Sequence, residues 1–327
     1  MKILVTGATG YIGNLLAGRL ADLGETVHVL VRNPHSPHMP VHHNIHWFKG
    51  DLADLESLQR AMDGCSQVYH CAALARFEAE DRNAFYEVNL NGTAHVLEAA
   101  IRAGVQKLVY TSSAGVLGPS GETPLTESDR RREDFESDYD RSKKMAEDLV
   151  RDYAKTGFHA VIVRPSRVYG PGPATYSNGV TRMITYLLTR KLILFPAIDR
   201  YQSNYSYVHD VVEGHMLAMQ HGLAGEAYII GGENISYGRF RQVVENCGAK
   251  NALTVRLPMA VMKAFMPLVH WFKPNAEMNA GILGRLAKNR MLSSQKAIDC
   301  LGYHITPFEN GMQETVAYLK KAIGRGN

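Results

Sequence analysis

The chain has 327 residues, 45% of them hydrophobic and 21% charged, and a formal net charge of +4. That length exceeds one ordinary core, and the composition belongs to a folded protein rather than a disordered one. The basic residues are scattered apart from Arg130, Arg131 and Arg132, which gives nucleic acid no electrostatic footprint.

Residues 2–6 read as a buried strand, and residues 11–23 as a helix stopped by Gly24. Further strands are expected at 26–31, 45–48, 68–71, 107–111 and 160–163, with helices at 52–62, 83–103 and 139–155 between them. This alternation predicts an α/β fold: a Rossmann-type, doubly wound parallel sheet followed by a smaller mixed C-terminal substrate-binding region. The dinucleotide domain is expected over 1–170, with return segments near 204–232 that include a strand at 227–230; segments 171–203 and 233–327 would receive substrate. The four cysteines, Cys65, Cys71, Cys247 and Cys300, show neither a CxxC nor a metal-ligand spacing and suit reduced thiols in the cytoplasm. Neither a signal peptide nor stable membrane insertion is expected, because the longest apolar region, 257–272, is broken by Lys263, His270 and prolines.

Gly7, Gly10 and Gly13 stand in TGATGYIG, directly after the first strand and at the mouth of the first helix. There a backbone without Cβ can approach a pyrophosphate held by the helix N-terminus, with Thr9, Tyr11 and Ile12 completing the turn. The second strand ends in Val31-Arg32-Asn33, with no carboxylate for the ribose hydroxyls. Arg32 can pair with a 2′-phosphate instead, which favours NADP while leaving NAD possible. Farther on, Tyr139 and Lys143 lie four residues apart in YDRSK and share a helix face, where an ammonium would lower the phenol pKa. Thr111, Ser112 and Ser113 offer hydroxyls at the C-terminal end of the fifth strand, where open α/β sheets bind their ligands.

These motifs, with Gly50-Asp51-Leu52, His70-Cys71-Ala72-Ala73, Asn89-Leu90-Asn91-Gly92-Thr93, Arg164-Pro165-Ser166, Tyr169-Gly170-Pro171-Gly172 and Tyr207-Val208-His209-Asp210-Val211, follow one another as in a known family. The chain resembles the extended short-chain dehydrogenase/reductases, which include sugar-nucleotide epimerases and dehydratases, 3β-hydroxysteroid dehydrogenases and dihydroflavonol 4-reductases. The resemblance implies that Tyr139 is the acid/base, that Lys143 tunes it and binds the nicotinamide ribose, and that Ser113 orients the substrate oxygen. It further implies that Asp51 and Leu52 border the adenine, that Ala72 and Ala73 line the cofactor cleft, and that Pro165 and Ser166 sit by the nicotinamide. Asn89 would brace the cofactor region. A homodimer through the two long helices is implied as well.

Sugar-nucleotide members carry an asparagine and an arginine where this chain has Arg167 and Ser203, so the likeness is greatest to the dihydroflavonol-reductase-like branch. Met259, Val261, Met262, Phe265, Met266, Leu268, Val269, Trp271 and Phe272 would pack as core or line a pocket for an apolar or aromatic ketone. His35, His38, His42, His43 and His46 crowd one loop at irregular spacing, so no metal site is expected. Arg130 to Arg132 read as a salt-bridged exposed segment that could also fold over substrate. The expectation is NADP(H)-dependent reduction of a ketone or aldehyde. The alternatives are an epimerase or dehydratase with tightly held NAD(P), and a redox-silent sensor of the cofactor.

Overall fold

The computed structural model describes residues 1–76, 81–248, 253–264 and 280–324. The strands in chain order are β1 (Lys2–Thr6), β2 (Thr26–Val31), β3 (Ile45–Lys49), β4 (Gln67–His70), β5 (Lys107–Thr111) and β6 (His159–Pro165). They are followed by β7 (Arg167–Tyr169), β8 (Leu192–Pro196), β9 (Gln202–Tyr207), β10 (Ala227–Ile230), β11 (Glu233–Ser236) and β12 (Leu253–Leu257). The helices that bear on the site are α1 (Tyr11–Asp22), α2 (Leu55–Met62), α3 (Asn83–Tyr86), α4 (Gly92–Arg102), α5 (Asp138–Lys155), α6 (Gly179–Thr189), α7 (Val208–His221) and α8 (Tyr237–Asn246).

Seven strands form one parallel sheet in the order β10-β6-β5-β4-β1-β2-β3. Its central strands are apolar on both faces because helices cover both. Leu4, Val68, Leu108 and Ile162 pack against Leu58, Val96, Leu97, Ala146 and Val150 of α2, α4 and α5. Ile3, Val5, Val109 and Val161 turn the other way, onto Leu16, Leu20, Val211 and Met216 of α1 and α7. Each such fully buried side chain contributes roughly 1.5–3 kcal/mol relative to exposure. Two smaller sheets lie beyond, β11-β9-β7 and β12-β8. A third core gathers Tyr169, Tyr205, Tyr207, Phe240, Phe308 and Met312 between β9, α8 and the final helix Phe308–Gly324.

Three differences from the sequence reading bear on the site. The helix expected from residue 52 begins at Leu55, because Asp54 caps it by accepting from the Ser57 amide, while Asp51 closes a turn on the Ala53 amide at 2.9 Å. The helix expected over 83–103 is interrupted by a π-helical turn, Glu87–Asn91, between α3 and α4. Helix α5 starts at Asp138, one residue early, with Ser137 capping the Asp140 amide.

Candidate active site

Strand order reverses at β1, and the crevice beside its C-terminal end is where this topology receives ligands. Gly7 has φ +74°, and a Cβ there would stand 2.6 Å from the Ala72 amide nitrogen, so the β1–α1 turn lies directly on the exit of β4. At Gly13 a Cβ would stand 2.4 Å from the Gly7 carbonyl oxygen, which seats α1 tightly on the same turn. No side chain caps α1 at Gly10. Its first-turn amides therefore face the crevice as an anion site, and the turn fits a dinucleotide pyrophosphate.

The Tyr11 ring leaves the crevice: its hydroxyl donates to the Gly170 carbonyl at 2.8 Å, and a Cβ on Gly172 would meet the ring at 2.7 Å. Tyr11 can therefore offer the cradle only its backbone. Ile12 packs on the core in the same manner, and Thr9 stays partly exposed in the turn. Arg32, just past β2, is exposed and engages no hydrogen bond or ion pair among the described residues. Leu52 is held by its carbonyl, which His95 Nδ1 approaches at 2.8 Å. The Ala72 amide donates to Thr6 Oγ1 at 3.3 Å, and Ala73 follows it, partly exposed.

Below these residues His70 is fully buried between Thr6 Oγ1, 2.7 Å from Nδ1, and Thr93 Oγ1, 3.0 Å from Nε2. Thr93 spends its own proton on the Asn89 carbonyl, so His70 donates from Nε2. Burial pushes this imidazole down to about 3, and it stays neutral.

Tyr139 and Lys143 rise from one face of α5 towards the end of β5. Ser113 begins the short 3₁₀ turn Ala114–Leu117 by accepting from the Gly115 amide at 3.1 Å, and its hydroxyl lies against the Tyr139 phenol. Ser112, 4% exposed, instead has its hydroxyl beside the buried Glu147 carboxylate. Burial and the neighbouring Asp140 carboxylate push Tyr139 up to about 12, against the lowering effect of Ser113. The expectation that Lys143 lowers the phenol is not met in this arrangement. Lys143 Nζ donates to the Thr111 carbonyl at 2.6 Å, lies 4.2 Å from the Tyr110 ring centre, and is itself lowered by burial to about 7. The phenol accordingly holds its proton.

Thr111 offers the site its carbonyl rather than its hydroxyl, which lies 2.9 Å from His215 Nε2 and donates to Cys71 Sγ at 3.3 Å. Pro165 ends β6 beside Ile230, and Ser166 shares a hydroxyl hydrogen bond with Ser206.

The sequence reading missed a buried ion pair behind this wall. Arg164, 4% exposed, donates through Nε and Nη2 to the fully buried Glu147 at 2.8 and 2.7 Å. The signal was present: the four-residue step from Tyr139 to Lys143 continues to Glu147 on the same face of α5. Arg131, read as part of an exposed segment, donates to the Gly115 carbonyl at 2.9 Å and thereby fastens the 3₁₀ turn. Residues 265–272 of the apolar stretch lie outside the described residues. Among the described residues no group of three His, Cys, Asp or Glu side chains could hold a metal, and no helix is long and apolar enough to cross a membrane.

Residues 3–231 match the model of the family described as "NAD dependent epimerase/dehydratase family". A Synechocystis sp. protein provisionally named a dihydroflavonol 4-reductase is 35% identical over 97% of this chain and 94% of its own. The 3β-hydroxysteroid dehydrogenase/Δ5→4-isomerase of Mycobacterium tuberculosis is 32% identical over 76% of this chain and 70% of its own. Among solved structures, the UDP-glucose 4-epimerase of Thermus thermophilus in complex with NAD superposes with a TM-score of 0.80, at 26% identity over 98% of this chain and 100% of that one.

Proposed function

The chain belongs to the NAD dependent epimerase/dehydratase family, and from that premise we propose an NADP(H)-dependent oxidoreductase that reduces a ketone or aldehyde on a small substrate with an apolar or aromatic body. The observation that carries this reading is the pairing of the Ser113 hydroxyl with a partly buried, protonated Tyr139 phenol at the mouth of the crevice. In this reading the amides of the Gly7–Gly13 turn hold the pyrophosphate, Arg32 the 2′-phosphate, and Asp51 and Leu52 border the adenine. Ala72, Ala73, Pro165 and Ser166 line the nicotinamide end, and Lys143 bonds the ribose there. The bound nicotinamide supplies the hydride. Ser113 steadies the carbonyl oxygen, and Tyr139 delivers the proton from its hydroxyl to that oxygen. The raised phenol pKa suits donation, and the alkoxide formed on the substrate is basic enough to take the proton.

The NADP preference is supported by an arginine free to meet a phosphate where NAD-binding folds place an acid. Pairing with a second copy through α4 and α5 is supported by exposed Ile101 and Met145 on those helices. The second reading, an epimerase or dehydratase that uses NAD(P) transiently, has the Thermus structure in its favour and predicts cofactor that co-purifies without net consumption. A carbonyl panel followed by NADPH absorbance, with NADH controls, separates the two. Tyr139→Phe should abolish turnover and leave NADPH affinity within about twofold, and Arg32→Ala should weaken NADPH but not NADH. Full turnover by the phenylalanine variant removes the acid/base role, and equal affinity of the wild type for both cofactors removes the NADP assignment.

A further inference from the structure

Asp140 follows the phenol in sequence and has no part in the chemistry above, yet it is fully buried. Its carboxylate stands against the turn that bears Ser113: a Cβ on Gly115 would lie 2.1 Å from Asp140 Oδ1, so glycine is what leaves room for it there. Gly115 is also the residue whose amide holds the Ser113 hydroxyl, at 3.1 Å. A buried anion thus adjoins both members of the proton-transfer pair.

Its counter-charge comes from the far end of the chain. Arg285, on the helix Ala280–Leu286, sets Nη1 2.6 Å from Asp140 Oδ2 and Nη2 3.4 Å from Oδ1, the two-pronged approach that suits a carboxylate. The same segment gives Lys288 to Glu133 and Glu136, and Arg290 to Glu136, so its cations clamp the acids that lead into α5. Ser137 adds a hydroxyl to Asp140 Oδ2 at 3.0 Å, and Arg290 and Arg131 act on the same carboxylate from farther off. The charged and titratable groups facing Tyr139 are Asp140 on its own helix, Arg285 from the C-terminal region and Tyr110 of β5, while Lys143 is committed to the Thr111 carbonyl. Asp140 holds the phenol proton on and Arg285 eases it off, so loss of either charge moves the phenol in opposite directions.

We propose that Arg285 is a positioning residue for the proton transfer: from the C-terminal region it neutralises Asp140, whose carboxylate, unopposed, would make Tyr139 a weaker donor and press on the Ser113 turn. The phenol is then a competent acid only while 280–290 is docked against the start of α5, which ties the substrate-binding region to the chemistry. The consequence for catalysis rests on the reductase reading, whereas the effect on the ionisation of Tyr139 does not.

The ionisation of Tyr139 can be read without substrate. The full chain is labelled with difluorotyrosine, which ionises more readily than tyrosine, and its fluorine NMR signals are followed against pH; the signal missing from Tyr139→Phe is that of Tyr139. Arg285→Met should raise its midpoint by about one pH unit, and Asp140→Asn should lower it by about as much. The double variant Asp140→Asn/Arg285→Met, which strands neither charge, should fall between the two. Calorimetry should find NADPH affinity within about twofold of wild type in all three, since the glycine turn is untouched. If Arg285→Met unfolds at a lower temperature, Asp140→Asn and the double variant still decide, because general damage does not lower the midpoint in one and restore it in the other. Midpoints that stay put in both single variants, or that move the same way, overturn the proposal. A wild type that binds NADPH but reduces no carbonyl would instead overturn the reductase reading and leave the opposed shifts standing.

Discussion

Alanine at Gly10 should damage the cofactor site and spare the fold, whereas alanine at Gly13 should damage both. A Cβ at Gly10 would meet only the Gly7 carbonyl oxygen, at 3.1 Å, on a backbone of φ −89° and ψ 176° that any residue adopts. The loop can yield by a few tenths of an ångström, so unfolding free energy should change by no more than about 0.5 kcal/mol. The methyl would nonetheless stand where a phosphate oxygen must approach the α1 amides. Each charge-assisted hydrogen bond lost there is worth about 1.5–3 kcal/mol, which is roughly 10- to 100-fold in NADPH Kd. At Gly13 the added Cβ would lie 2.4 Å from the Gly7 oxygen and 2.8 Å from the Gly7 carbonyl carbon, and backbone cannot swing away as a side chain can. Such overpacking costs about 1–3 kcal/mol, on top of a displaced phosphate turn. Gly18→Ala, within α1 and with nothing inside 4 Å, is the control and should gain about 0.4–1 kcal/mol. Urea unfolding and NADPH titration measure the two effects separately. Wild-type affinity in Gly10→Ala, or wild-type stability in Gly13→Ala, would refute the reasoning.

Exchanging the two serines should give opposite results. Ser113→Ala should lower kcat by about 10²–10³-fold, while Ser112→Ala, whose side chain faces the core, should leave it within about threefold; steady-state assays that find the reverse reassign the oxygen-holding role. Glu147→Ala strands the buried Arg164 guanidinium and should cost about 3–5 kcal/mol in urea unfolding, and a loss below about 1 kcal/mol would mean the pair relaxes into solvent. Lys143 titrates near 7 in the folded chain against an ordinary 10.5. Between those values the unfolded chain holds a proton that the folded chain lacks, so this group makes stability rise with pH from about 7 to about 10.5. Lys143→Met should flatten that rise, and identical slopes in the two proteins count against the lowered value.

The large sheet was legible because a strand covered on both faces is apolar along its length, and β1, β2 and β5 coincide with their expected spans. The glycine turn and the shared helix face of Tyr139 and Lys143 were legible because each depends on local spacing, whereas Ser113, distant in sequence, was singled out only through the family resemblance. What local spacing cannot carry is long-range pairing. Strands β7, β9 and β11 hold three to six residues each, and they are strands only because residues 167–169 and 233–236 come to lie beside 202–207. The same limit hid the partner of Lys143. Spacing aims its ammonium at Tyr139, whereas packing delivers it to the Thr111 carbonyl. The π-helical turn escaped notice because residues 83–103 read as one continuous helix.

That turn constrains how the chain can vary. Its extra residue rotates Asn89 inward, where the carboxamide accepts from the Leu74 amide at 2.7 Å and donates to Ser142 Oγ at 3.0 Å, and Ser142 in turn bonds the Tyr139 carbonyl. One amide thus clasps the floor of the crevice to the scaffold that bears the phenol. Deleting Leu90 would restore an even pitch, yet it would also swing α4 by about 100° and lift Val96, Leu97 and Ala100 out of the core they now fill. Asn89 is fixed by these bonds, and so is the number of residues in 87–91.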